Sequence, residues 1–155
     1  MREEFPRLEN ISASEQAFDL VLTSLDVPFV GIIDLVAELD GAPTVIDFKT
    51  SGATYDSHEA TLSDQLTAYQ LAKPDVPQLA LCVFVKTKEP RIEWYPVSRT
   101  GAQLVEFLSK ADLVARAITA HHFYKRPGTW CAWCDYLPVC VRDEAKVKKE
   151  LVQIR

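Results

Sequence analysis

Asp34, Asp47 and Lys49 have the types and the spacing to hold a divalent cation and to place a positive charge beside it. Pro28 to Leu39 reads as a strand and Thr44 to Thr50 as its return, with Asp40-Gly41 as a two-residue hairpin loop. Paired positions then sum to 81, and Asp34 falls opposite Asp47. The closing pair, Leu39 and Ala42, is hydrogen-bonded and the pairs alternate from there. Asp34 with Asp47 is therefore a non-hydrogen-bonded pair, where Cα atoms approach to roughly 4.5 Å. Glu38 with Pro43 is another such pair, so the missing N–H of Pro43 costs nothing at that rung. Alternation puts Lys49 on the face of Asp47, while Ile46 and Phe48 are expected to point into the core. Two facing carboxylates repel. A divalent cation beside Lys49 would offset that, and carboxylate and backbone carbonyl oxygens suit Mg²⁺ or Mn²⁺. The same pattern also fits a solvated hairpin face on which charges alternate with core residues.

A second group is sulfur. Cys131, Cys134 and Cys140 follow a Cys-x2-Cys-x5-Cys spacing, which suits iron–sulfur or zinc. Three ligands are one short of a closed site. Cys82 stands apart in an apolar run and reads as a small hydrophobe rather than a fourth ligand. The fourth could come from an upstream segment or a partner chain, or the segment could be an uncoordinated remnant. Trp130, Trp133 and Tyr136 are expected to pack around the segment; stacking on bases is the alternative.

These residues need elements to position them. Ser14 to Thr23 reads equally as a helix or an opening strand, and Ser51 to Thr61 as a polar loop. Leu62 to Ala72 has helical spacing and stops before Lys73-Pro74. Leu79 to Lys86 reads as a buried central strand, Lys88-Glu89-Pro90 as a turn, and Ile92 to Val97 as a further strand. Thr100 to Tyr124 is the longest helix, with Leu104, Phe107, Ala111 and Ala115 on one face. Asp143 to Val152 is a short charged helix. Three or four strands with flanking helices predict an α/β fold around a mixed β-sheet, followed by a C-terminal cysteine segment. We expect one domain over 1–155: a lead-in over 1–27, a core over 28–125, the cysteine segment over 126–142 and a terminal helix over 143–155.

The 155 residues are 48% hydrophobic and 25% charged, the composition of a globular protein. No apolar run is long enough to span a bilayer, and the charged start, Met1 to Asn10 with Pro6, does not read as a secretory signal. A cytoplasmic location is the expectation. The net charge of −5 argues against a nucleic-acid binder, although bound cations would invert the local field of a carboxylate cleft.

Taken together, Gly31-Ile32-Ile33-Asp34, then Asp47-Phe48-Lys49, then Gln65-Leu66-Thr67-Ala68-Tyr69 resemble the ordered signature of the PD-(D/E)XK nuclease superfamily. The tail from His122 through Cys131, Cys134 and Cys140 extends the resemblance to its RecB-like branch, which includes CRISPR-associated exonucleases. The resemblance spans Gly31 to Cys140; each motif alone is weak, and their order is what makes them specific. It implies a restriction-endonuclease-like fold and Mg²⁺ or Mn²⁺ held by Asp34, Asp47 and the Phe48 carbonyl. It implies that Lys49 activates water or stabilises the phosphate, and that Gln65 and Tyr69 line the cleft one helical turn apart. It also implies a four-iron, four-sulfur cluster on Cys131, Cys134 and Cys140. Two departures stand out. Members usually carry a histidine ligand and a first cluster cysteine upstream of the first motif, and the residues before Gly31 hold neither. Glu15 is an acidic candidate for the substitute, and His58, His121 and His122 all lie downstream. Either the chain is a piece of a longer protein or it has lost these ligands.

The implied activity is a Mg²⁺- or Mn²⁺-dependent deoxyribonuclease, acting as an exonuclease in recombination, repair, phage replication or defence. The competing reading is a catalytically inactive nuclease-like module that grips DNA or a helicase, recombination or CRISPR partner. A small zinc-binding interaction domain would explain the tail and leave the carboxylate hairpin unexplained.

Overall fold

The structure, a computed structural model, describes residues 6–22 and 27–151. Five strands form one sheet in the order β1-β2-β3-β4-β5: β1 Leu8–Leu20, β2 Phe29–Leu39, β3 Ala42–Ser51, β4 Gln78–Val85 and β5 Arg91–Val97. All neighbours are antiparallel except β3 and β4, so the sheet is mixed, as the pattern of elements predicts. The β2–β3 turn has φ of 52° at Asp40 and 79° at Gly41. Both central residues are left-handed, which matches the strand twist and explains the Asp-Gly pair. Leu39 pairs with Ala42 and the register runs as expected through Leu35 with Ile46.

A parallel neighbour needs a crossover, and α1 (Ser57–Thr61) and α2 (Asp64–Ala72) supply it. The polar composition of 51–61 predicts loop throughout, yet α1 lies within it. The helix is there because Asp56 and Glu59 form a capping box, in which the Asp56 side chain accepts from His58 N–H and Glu59 returns to the Asp56 N–H. Ser63 caps α2 by accepting from the Leu66 N–H. The long helix, α3, covers Gly101–Thr119 and ends five residues before Tyr124, ahead of a left-handed His121. The undecided segment is strand: β1 begins at Leu8, and Thr23 lies outside the described residues.

Both faces of β4 are buried, hence its unbroken apolar run. Ile33, Val45, Leu66, Tyr69, Leu79 and Val83 pack on the α2 side. Leu35, Ala37, Leu39, Ile46, Ala80 and Cys82 form a cluster on the other side. Burial pushes the Cys82 thiol up to about 11, consistent with an inert core residue.

The chain divides into two compact units, 1–119 and 120–155. In the second, a 3₁₀ turn (Thr129–Trp133), α4 (Leu137–Val141) and α5 (Glu144–Glu150) follow one another. Asp143 caps α5 through the Lys146 N–H, and Val152, expected at the helix end, lies outside the described residues. No described helix is long and apolar enough to cross a membrane.

Candidate active site

The site begins where the sheet loses its regularity. Upstream of Asp34, Phe29, Gly31 and Ile33 face α2 and α3: Phe29 meets Phe107, Phe18 lies over Gly31, and Ile33 joins the α2-side cluster. Downstream, Leu35 and Ala37 face the other way while Val36 takes the α2 side. Strict alternation cannot satisfy both, so the sidedness of β2 switches at Asp34. Glu15, across from it on β1, carries a left-handed φ of 49°, while the register shift of β1 falls between Glu9 and Ala13. Asp34 drops out of both ladders: β1 pairs Ser14 with Leu35 and Gln16 with Ile33, and the β2–β3 pairing stops at Leu35 with Ile46. The facing Asp34–Asp47 rung thus does not form as a ladder pair. Instead the Asp34 carboxylate accepts the Phe48 N–H at 2.9 Å.

That bond also orients a carbonyl. In an extended strand the N–H and C=O of one residue point to the same side. The Phe48 carbonyl therefore faces the β2 side, beyond the last β2–β3 pair. The Phe48 side chain does not enter the core as expected. It is 40% exposed, beside Phe84 with ring centroids 6.0 Å apart, while Asp47 is 1% exposed. Alternation separates the two residues as predicted, but α2 covers the face that carries the charge.

Around Asp47 the side chains close a ring. Lys49 Nζ lies 2.6 Å from Asp47 Oδ2 and donates to Gln65 Oε1 at 2.7 Å. Gln65 Nε2 donates to the Tyr69 hydroxyl at 2.8 Å. That hydroxyl donates to the Ile32 carbonyl at 2.7 Å, with Asp47 Oδ1 at 3.4 Å. Asp47, Lys49, Gln65 and Tyr69 thus come together, with Asp34 one backbone amide away. The hydrogen-bonding partner of Tyr69 and its packing against Phe18, edge-on at 6.0 Å, have no signal in the local sequence. Gly31 does carry one in retrospect: a Cβ there would meet the Phe18 ring at 2.5 Å.

Burial pushes the Asp47 carboxyl up, against the pull of Lys49 and with repulsion from Asp34. Burial likewise pushes Tyr69 up to about 12, opposed by its bond from Gln65 and helped by the nearby carboxylates, so it stays a protonated donor. Among the described residues, the buried side-chain atoms without a hydrogen-bond partner are Asp47 Oδ2 and Gln16 Oε1. Asp47 Oδ2 touches Lys49 as an ion pair but receives no well-directed bond. Two repelling carboxylates, one of them with a buried oxygen short of a donor, and a carbonyl on the same edge make a donor set that fits Mg²⁺ or Mn²⁺. Mg²⁺ commonly takes only one or two protein carboxylates and completes its shell with water and phosphate.

The sulfur group behaves differently. Among the described residues no three His, Cys, Asp or Glu side chains are gathered as metal ligands. Cys131, Cys134 and Cys140, expected to share a centre, are not gathered as such a group. Cys131 is half-buried on the 3₁₀ turn and its sulfur accepts from the Gly128 N–H at 3.4 Å, while Cys134 and Cys140 are exposed. Nor do Trp130, Trp133 and Tyr136 pack as expected; they are 62%, 82% and 68% exposed.

Comparison with known proteins bears on the chain through residue 141. No curated protein matches it. The crystal structure of SSO0001 is similar, with a TM-score of 0.53 at 17% identity, over 83% of this chain and 59% of that one. At that identity the likeness is one of fold, here the restriction-endonuclease-like arrangement of a mixed sheet and flanking helices. This chain spans about three-fifths of the length of that structure. A family model, that of the PD-(D/E)XK nuclease superfamily, matches residues 1–141. With the Asp34, Asp47 and Lys49 motifs inside that match, the chain belongs to the PD-(D/E)XK nuclease superfamily.

Proposed function

We propose that this chain is a Mg²⁺- or Mn²⁺-dependent deoxyribonuclease acting on DNA with free ends. The observation that carries the reading is the closed ring of Asp47, Lys49, Gln65 and Tyr69 beside Asp34. Asp34, Asp47 and the Phe48 carbonyl would hold the cation. When bound, it supplies Lewis-acid polarisation of a phosphoryl oxygen. Lys49 is about one-third exposed and held by Asp47 and Gln65. Its fixed charge stabilises the extra negative charge of the pentacoordinate phosphorus and orients the attacking water. A water oxygen bonds to phosphorus and releases a proton to solvent, the P–O bond to the leaving sugar breaks, and the sugar oxygen takes up a proton from solvent. Tyr69, held protonated, is a positioning residue: it fixes Gln65, which fixes Lys49. The preference for free ends rests on the resemblance of the ordered motifs and of the tail through Cys140 to the RecB-like branch.

The experiment is cleavage of end-labelled single- and double-stranded DNA by the full chain with Mg²⁺ or Mn²⁺. Cleavage is expected with either metal, lost in EDTA and in Lys49→Ala. DNA binding without cleavage under every metal condition would replace the enzyme by a binding module. Tyr69→Phe separates positioning from structure. It keeps the ring packed on Phe18, so lowered kcat with little change in KM supports the relay, and an unchanged kcat removes it.

A further inference from the structure

The charge of this chain is unevenly divided. Residues 120–155 hold seven Lys and Arg against four Asp and Glu, net +3, whereas residues 1–119 hold ten against eighteen, net −8. The candidate nuclease body is thus acidic, and a polyanionic substrate gains little attraction from it. The aromatic residues divide as well. Phe123, Tyr124, Trp130, Trp133 and Tyr136 are all between 62% and 84% exposed. In the first unit the most exposed described aromatic is Phe48, at 40%. Lys125, Arg126, Arg142, Lys146, Lys148 and Lys149 are interleaved with those rings or follow them, and all six are exposed.

Exposed rings are costly unless something covers them. Here Lys125 and Arg126 fall between Tyr124 and Trp130 and four more cations follow Tyr136 within fifteen residues, and rings beside cations are the chemistry of a single-stranded nucleic-acid surface. Rings stack on unpaired bases whatever the sequence, and basic side chains follow the phosphates. A protein partner would want an apolar patch with few charges at its centre, and the density of lysine and arginine argues against that. We propose that residues 120–151 form a binding surface for single-stranded DNA, supplying the attraction that the acidic nuclease body lacks. The proposal extends the nuclease reading, but its test reads binding in the absence of metal, so the two can fail separately.

Trp130 and Trp133 make the test direct, since only Trp94 lies elsewhere, half-buried against the sheet. In the full chain carrying Trp94→Phe, with EDTA present, oligo-dT is titrated while tryptophan emission is followed. Saturable quenching is expected. A Trp133→Ala, Tyr136→Ala double variant should bind at least tenfold more weakly, in line with the loss of two stacked bases. A second variant, Lys146→Gln with Lys148→Gln and Lys149→Gln, changes only exposed side chains. It should flatten the dependence of log affinity on log salt by up to about 2, at roughly 0.7 for each phosphate left without its cation. Duplex of the same length should bind more weakly than oligo-dT. The proposal is overturned by unquenched emission, by binding indifferent to both variants, or by emission already blue-shifted without DNA, which would mean that protein covers the rings.

Discussion

From Ile33 to Val85 the chain places nearly every large apolar side chain inside a sheet covered on both faces, whereas from Ala120 to Leu151 the one described buried residue is Pro138. The first unit has the core of an ordinary domain. The second, 36 residues with local caps and no disulfide among the described residues, is too small to hold itself by burial. The difference separates two kinds of site: Asp47 and Lys49 are held within a packed frame, while the aromatic and basic residues of the second unit stand exposed.

The contrast predicts unequal responses to mutation. Leu66→Ala empties a fully buried position and should destabilise by about 2–5 kcal/mol in urea denaturation. Val139→Ala, at a half-exposed position in the second unit, should stay within about 0.5 kcal/mol. Equal effects would erase the distinction. Next comes Arg99, which donates to the Ala60 and Ser63 carbonyls and to Thr67, tying the α1–α2 junction to the chain before α3. Arg99→Ala should cost about 2–3 kcal/mol, since charged hydrogen bonds to buried acceptors disappear.

The frame should also show itself through metal. Asp47→Asn removes a buried charge while keeping its shape, so the metal-free variant should melt no lower than wild type. Mn²⁺ should raise the melting temperature of wild type only, by the equivalent of about 2.7 kcal/mol at a hundredfold excess over Kd. Equal stabilisation of both would remove Asp47 from the ligand set. The smallest effect lies away from the site. The Glu93 carboxyl is held below the usual range by the Tyr95 hydroxyl at 2.6 Å and by Arg91 at 2.7 Å. A lowered folded-state value means that its stabilising contribution is present above the unfolded value, about 4.3, and is lost as pH falls through the folded one. Glu93→Gln should flatten the acid limb of a stability–pH curve slightly, and an unchanged limb would contradict this.

How much of this the sequence carries depends on range. The hairpin is legible because Asp40-Gly41 is a local signal that fixes the register of everything behind it. Asp47 with Lys49, and Gln65 with Tyr69, are legible because strand and helix periods set their faces. The capping box at Asp56 and Glu59 is written locally too, but the polar run around it reads as loop. Phe48 defeats the pattern because alternation separates faces without saying which one a helix covers. The switch at Asp34, the Phe18 ring over Gly31 and the parallel β3–β4 pairing depend on contacts between distant segments, and no local pattern encodes them. In the second unit the cysteine spacing is clear and the gathering of the sulfurs does not follow, because spacing alone does not close a three-ligand site.

Single-turnover cleavage of end-labelled DNA by the full chain, comparing wild type with Lys49→Ala and Asp47→Asn at a Mn²⁺ concentration that saturates wild type, tests the roles of Lys49 and Asp47 most directly. Wild type is expected to cleave, and Lys49→Ala to lose about a hundredfold or more with Mn²⁺ binding retained, because Lys49 acts on the developing charge rather than on the cation. Asp47→Asn is expected to lose both cleavage and Mn²⁺ binding. Cleavage that survives both substitutions would place the chemistry elsewhere in the molecule.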